Sequence, residues 1–460
     1  LSLLLTGYYS ERGYLARFLL PPQDIVDGVV QYQIEEGVRG GLQFVSESSR
    51  LQAERVNAFV DARLAEGELL NLGLLGEALN ILNDQPGVAV SASLQPGSEG
   101  RLINLNLTAA DTPMFSYTLA ANNYGTRATG QSQLSLGLTA ENLTGRFDSL
   151  GVNFNGAEGS RYGQLSYSLA LGDRGMRLGA YASMLDYELV QEDFAALEAE
   201  GIAKTVGVTL SYPLSRQPTE GDDLSLTLEE QNLIDETAAG ETGNRRVQTA
   251  SLTWGRYKIL PEGWYQGILN TSATVTLGDA KQKNSAALAA DQASLQTTGN
   301  FAKFDLAASH LRFFNDHWSL TSTLSGQFAN KNLDSSERMS LGGPSGVRGF
   351  PVAEANGDEG VLASLNLARS IGASGSLGTF VDWGRIRLDD SGTVTGSTDS
   401  NLYNLSAAGI NASWQFGASA SLSFMVAHPL TSNPTGGVDD LDSDGLETGT
   451  RAWLNFGAGF

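Results

Sequence analysis

The residues of this 460-residue chain best placed to do chemistry are one cation and one carboxylate, each set among glycines. Arg348 lies in Leu341-Gly342-Gly343-Pro344-Ser345-Gly346-Val347-Arg348-Gly349-Phe350, within a connection spanning 330–357. A connection of that length is usually either functional or disordered. Its glycines permit a tight, folded-back path, and Arg348 has room to extend its guanidinium. The carboxylate is Asp382, in Phe380-Val381-Asp382-Trp383-Gly384. On a strand, Leu377, Thr379, Val381 and Trp383 would share one face and Phe380, Asp382 and Gly384 the other. A bidentate guanidinium–carboxylate bond from Arg348 to Asp382 would tie the loop to that strand. In a partly dry interior, removing one partner of such a pair typically costs about 3–5 kcal/mol. The residues alone leave a plainer reading open: an exposed loop with one cation, and a solvated carboxylate.

Other candidate sites are thinner. Asp440-Leu441-Asp442-Ser443-Asp444-Gly445 places carboxylates at alternate positions, as the start of a calcium loop does. Such a loop wants Glu at its twelfth position, where this chain has Arg451, and a solvated acidic loop is the competing reading. His310, His317 and His428 are too scattered for a metal site. No G-x-S-x-G, P-loop or Ser-His-Asp ordering stands out. Asp222-Asp223 and Asp389-Asp390 read as solvated turn residues. The expectation is therefore a protein that is not an enzyme and needs no cofactor.

Composition narrows the partners. The formal charge is -22, from 29 Lys+Arg against 51 Asp+Glu, which argues against nucleic acid. Absence of Cys excludes thiol catalysis, disulfides and Cys-type zinc sites. No run reaches the 18 or so apolar residues of a membrane helix, so any membrane crossing must be made by strands. Leu1 is not a start residue and no leader pattern precedes it, so the N-terminus reads as truncated or processed.

Two textures divide the chain. In the first, Leu15–Leu20 and Val29–Ile34 read as strands joined by Pro21-Pro22-Gln23-Asp24. Leu42–Val45 reads as a strand, with Ser48/Ser49 positioned to cap the helix that follows. Leu51, Val56, Phe59, Val60 and Leu64 mark one face of that helix, and Leu74, Leu75, Ala78, Leu79 and Leu82 mark a second helix ending before Pro86-Gly87. Strands Val88–Leu94 and Leu102–Leu107 complete a compact α+β module. The expected domains are 1–36 as the end of a preceding module, 37–112, and 113–460.

From residue 113 the chain alternates apolar with small or polar residues, as in Leu150–Phe154, Ala418–Val426 and Ala452–Phe460. Sixteen candidate strands start near 115, 130, 147, 162, 176, 202, 223, 246, 265, 301, 318, 358, 376, 403, 418 and 450. Long connections at 186–201, 233–245, 278–300, 330–357, 385–401 and 428–449 all follow odd-numbered strands. Those after even-numbered strands are mostly short, with 213–222 the longest exception. Segregation of loop lengths by parity is expected of an outer-membrane barrel and not of a sandwich. A cysteine-free chain also suits passage through an oxidising periplasm.

Val347-Arg348-Gly349-Phe350 resembles the VRGY-type loop motif, and Phe380-Val381-Asp382-Trp383-Gly384 the F-x-D-x-G strand motif, of the BamA-like barrel superfamily. The front module resembles a POTRA domain. Gly13-Tyr14, Leu20-Pro21-Pro22-Gln23, Asp27-Gly28, Glu36-Gly37, Pro86-Gly87-Val88 and Leu94-Gln95-Pro96-Gly97 resemble pieces of the POTRA domains of two-partner secretion transporters, the TpsB or ShlB/FhaC/HecB family. That resemblance implies a sixteen-stranded antiparallel transmembrane barrel preceded by POTRA domains, a plug helix upstream, and contact between Arg348 and Asp382 in the lumen. Phe350 stands where the motif usually has Tyr. Phe460 matches the C-terminal aromatic of outer-membrane barrels.

The implied function is translocation of an unfolded, dedicated exoprotein such as a haemolysin or adhesin, without nucleotide hydrolysis. The implied place is the bacterial outer membrane with the POTRA domain in the periplasm. Outer-membrane lipids and the barrel assembly machinery are its other implied partners. The alternatives are an assembly factor of the BamA or TamA type, a passive porin, or an outer-membrane lipase.

Overall fold

A computed structural model describes residues 2–460 except 26–27, 49, 99, 264–265, 391–400 and 434–440. Sixteen antiparallel strands close into a barrel, beginning with Phe115–Asn122 and ending with Arg451–Gly459. Each strand pairs with its neighbours in sequence, and the last returns to the first through Asn455↔Asn122 to Gly459↔Thr118. Closure leaves no sheet edge within the wall, so backbone donors and acceptors are paired without water. Alternation sets the faces. Leu228, Leu324, Leu365, Val381 and Ile410 are each more than half exposed on the outer surface. Inward positions carry polar pairs such as Tyr187 Oη to Asp235 at 2.7 Å.

Fifteen of the sixteen strands begin within three residues of the positions expected from sequence, and the eighth begins at Gly240, six residues early. The connections at 233–245 and 213–222, expected to be long, are instead strand. Glu220–Thr237 and Gly240–Leu260 run to 18 and 21 residues and meet at a tight turn. About 9–11 residues are enough to span a bilayer, so this hairpin projects well beyond it. There its outward residues are polar and pair with one another, as Gln248 Nε2 to Glu230 at 2.7 Å and Lys283 Nζ to Asn232 at 2.7 Å. Mostly polar apart from Leu233 and Val247, which pack with Ala280, Phe301 and Leu333, the segment reads as loop in sequence while its ladder continues. Within the connection 278–300, the strand runs on to Gln282 and a helix, Ser285–Gln292, is capped by the Asn284 side chain.

The α+β region packs helices Ala53–Asp61 and Leu72–Asn83 on a sheet of Val38–Ser46, Leu102–Ala110 and Ala89–Pro96, with Leu102–Ala110 central. Val56, Phe59, Val60, Leu75, Leu82 and Leu105 fill its core. The first helix is not capped by Ser48, whose Oγ accepts from Arg50 N instead, and Ser49 lies outside the described residues. Gln52 is the N-cap, without a side-chain bond, while Asn71 caps the second helix by accepting from Gly73 N and Leu74 N. Upstream, Ala16–Leu19 pairs with Gln33–Glu36. The second strand starts later than Val29 because the Gln23 side chain bonds both N and O of Gln31, holding that stretch as a loop. Helix Ser2–Glu11 was not expected: its apolar residues follow no single face.

The module sits on the rim formed by the short turns. Phe147, from the turn 142–148, inserts into the module core and meets Phe59 edge-on at 5.7 Å. Arg177 Nη1 bridges Gln85 at 2.9 Å and the Phe147 carbonyl at 3.0 Å, and Arg216 pairs with Asp84.

Candidate functional site in the barrel lumen

The connection 330–358 folds back into the barrel. Leu341, Val347 and Phe350 are fully buried against Ile386, Tyr403, Leu405 and Ala407 on the inner wall. Close approach demands glycine at two points. A Cβ on Gly349 would stand 2.8 Å from Ala407 Cβ and 2.9 Å from Pro429 N, and one on Gly384 would stand 2.7 Å from Leu341 Cδ2.

Arg348 and Asp382 meet in this interior, at 9 % and 0 % exposure. Arg348 Nη2 donates to Asp382 Oδ1 at 2.6 Å, and Nε donates to Oδ2 at 2.8 Å. The Arg348 backbone N–H adds a bond to Oδ2 at 3.1 Å. Ser364 Oγ accepts from Arg348 Nη2 at 2.9 Å and donates to Asp382 Oδ1 at 2.7 Å. The guanidinium carbon lies 3.3 Å over the Phe380 ring, and Trp453 Nε1 donates to the Arg348 carbonyl at 2.8 Å. The carboxylate thus receives four hydrogen bonds, enough to offset loss of water for a buried charge pair. Phe380, Asp382 and Gly384 share the inner face, while Val381 and Trp383 face outward.

Sequence reasoning did not single out Ser364 or Trp453 as partners. Ser364 is the cross-strand neighbour of Asp382, a matter of register, and Trp453 reaches the Arg348 carbonyl from the last strand, three strands along the wall.

The base of the loop carries further charge pairs. Lys303 Nζ meets Glu337 at 2.9 Å and Arg338 meets Asp358 at 3.1 Å. Burial pushes the Glu337 and Asp358 carboxyls above the ordinary range, against the pull of those cations. Of the acidic triplet, Asp440 lies outside the described residues. Asp442 and Asp444 are both held by Arg451 at 2.7 Å, the residue that occupies the twelfth position. Among the described residues no cluster of three or more His, Cys, Asp or Glu is placed to hold a metal ion. Phe460 is exposed, and its backbone continues the closing ladder with Tyr117 at 2.9 Å.

A closed sixteen-stranded barrel with an apolar outer band, a lumen occupied by its own loop and a POTRA-like module on the short-turn rim define an outer-membrane barrel of the transporter class. The chain belongs to the family of haemolysin secretion/activation proteins ShlB/FhaC/HecB, whose model matches residues 102–412. It is an outer-membrane transporter of two-partner secretion and not an enzyme. The heme/hemopexin transporter protein HuxB of Haemophilus influenzae (strain 86-028NP) is 26 % identical over 451 residues, covering 95 % of this chain and 77 % of the relative. The hemolysin transporter protein ShlB of Serratia marcescens is 25 % identical, covering 84 % of this chain and 70 % of that one. In fold, the structure of CdiB from Escherichia coli superposes with a TM-score of 0.77 at 20 % identity, over 100 % of this chain and 83 % of CdiB.

Proposed function

We propose that this transporter captures one dedicated, unfolded exoprotein, a large haemolysin- or adhesin-like chain, and threads it through the barrel. The observation that carries the reading is the Arg348–Asp382 pair, which fastens a loop across the path a cargo chain would take. The Arg348 loop and the Asp382 strand act as a lock whose geometry positions the lumen for transport.

Capture takes place at the module, which lies in the periplasm. Its strand Ala89–Pro96 pairs with Leu102–Ala110 on one side, and its other edge meets no strand among the described residues; there the Asn83 side chain bonds both N and O of Val90, so a cargo strand would add beyond that point. A groove of about 550 Å³ runs beside it, lined by Asn83, Val88 and Ser91 among others. An extended cargo segment can add there as a further strand. The chain's interior offers no nucleotide motif, so folding of the cargo outside supplies the drive. Lipids of the outer membrane cover the apolar band, and Phe460 serves recognition by the barrel assembly machinery.

The experiment is site-specific photo-crosslinking during secretion of a partner arrested by a folded tag. Probes replace Ser91 on that edge and Gln164, which faces inward beside outward Leu165. The arrested partner is expected to crosslink at both positions. Absence of the arrested partner's crosslink at Ser91 would overturn capture at the module, and absence at Gln164 would overturn passage through the barrel.

A further inference from the structure

We propose that Glu354 is a second fastening of the lumenal loop, a positioning residue that couples the loop to Asn433 and Ser443, in the chain between the last two barrel strands. The inference rests on the reading that this loop lies in the cargo path, and does not depend on which exoprotein is carried.

Glu354 is 2 % exposed and takes no part in the Arg348–Asp382 pair. Its Oε1 accepts from Asn433 Nδ2 at 2.9 Å and its Oε2 accepts from Ser443 N at 2.7 Å. Its own carbonyl accepts from Gly342 N at 3.1 Å, closing the loop on itself. The residues on either side, Ala353 and Ala355, have φ of 66° and 53°. An L residue adopts that left-handed conformation at a cost, and it persists only where surrounding contacts over-determine it. Here the two reversals aim the Glu354 side chain away from the wall and toward Asn433 and Ser443.

The receiving side is itself a network. Asn433 Nδ2 lies 3.4 Å from Asp442 Oδ1, which also accepts from Thr448 Oγ1 at 2.7 Å. Arg451 joins Asp442 to Asp444, and Arg127 Nη1 donates to the Asp444 carbonyl at 2.6 Å. Arg451 opens the last barrel strand, which closes on the first over a short ladder. Loop position and barrel closure therefore share one set of contacts. No Lys or Arg among the described residues pairs with Glu354 itself. A buried carboxylate held by neutral donors is costly, and it regains water when Asn433 and Ser443 part from it. Glu354 is thus the weaker fastening, set to release before Arg348.

The test is single-channel recording of the purified full chain in planar lipid bilayers, with heat-modifiable gel migration as the control for a folded barrel. Glu354→Ala and Asn433→Ala are each expected to raise the frequency of full-lumen openings about tenfold. The double variant is expected to do no more than Glu354→Ala alone, because the Asn433 bond is one of the two that Glu354→Ala already removes. Asp382→Ala added to Glu354→Ala is expected to multiply the effect. Should Glu354→Ala fail to insert, Glu354→Gln keeps the volume and one acceptor, and an increase of about threefold is expected. Folded Glu354 variants that gate like the parent, or Glu354 and Asn433 effects that multiply, would overturn the inference. If Asp382→Ala also leaves gating unchanged, it is the occupied-lumen reading that fails; if Asp382→Ala opens the channel and Glu354→Ala does not, only the second fastening fails.

Discussion

At the scale of single residues, the site depends on shape as much as on charge. Asp382 meets Arg348 through two side-chain nitrogens and a backbone N–H, with the guanidinium plane lying on Phe380. Lysine keeps the charge and loses the fork and the stacking. Arg348→Lys is therefore expected to cut partner secretion at least about tenfold while leaving barrel insertion normal, as read by immunoblots of culture medium and of outer membranes. The Arg348–Asp382 contact was legible because alternation turns Asp382 inward and because both residues lie in motifs that resemble the loop and strand motifs of the BamA-like superfamily; the residues alone left a solvated cation and carboxylate open. Ser364, Trp453 and Glu354 were not legible, because their roles depend on strand register, on where the folded loop meets the last strand and on two reversed alanines.

At the scale of elements, the turn 142–148 joins module to barrel. Its Phe147 completes the module core, and the turn holds its shape through Asp148, whose Oδ1 accepts from Thr144 N at 3.0 Å and Thr144 Oγ1 at 2.7 Å. Phe147→Ala is expected to weaken the joint by about 3–5 kcal/mol, the usual range for a buried Phe. Limited proteolysis should then release the module faster from an intact barrel. Burial alone would push the Asp148 carboxyl up, but the Thr144 bonds outweigh it and hold the carboxyl below its ordinary range. With the folded value depressed, this stabilisation is complete above the unfolded pKa and is lost as pH falls through the folded one. Module release is thus expected to accelerate only in strong acid, and Asp148→Ala should remove that dependence. Strand starts were readable from alternation. The projecting hairpin 220–260 was read too short because its mostly polar tip breaks the apolar alternation while the ladder continues, and helix 2–11 was missed for want of an apolar face.

At the scale of the whole molecule, closure of the barrel places residues from distant parts of the chain around one loop. Arg348 touches Ser364, Asp382 and Trp453, which stand on three different strands. The module lies on the rim formed by the turns that follow even-numbered strands, as the sequence pattern leads one to expect. The central claim is that this loop, fastened by Arg348 and Asp382, governs passage of a secreted partner. The most direct measurement is secretion of the cognate exoprotein by cells carrying Arg348→Ala, Asp382→Ala or both, at matched outer-membrane levels. The expected result is a loss of about tenfold or more in each single variant, with the double variant no worse. Normal secretion by both single variants, correctly inserted, would contradict the account.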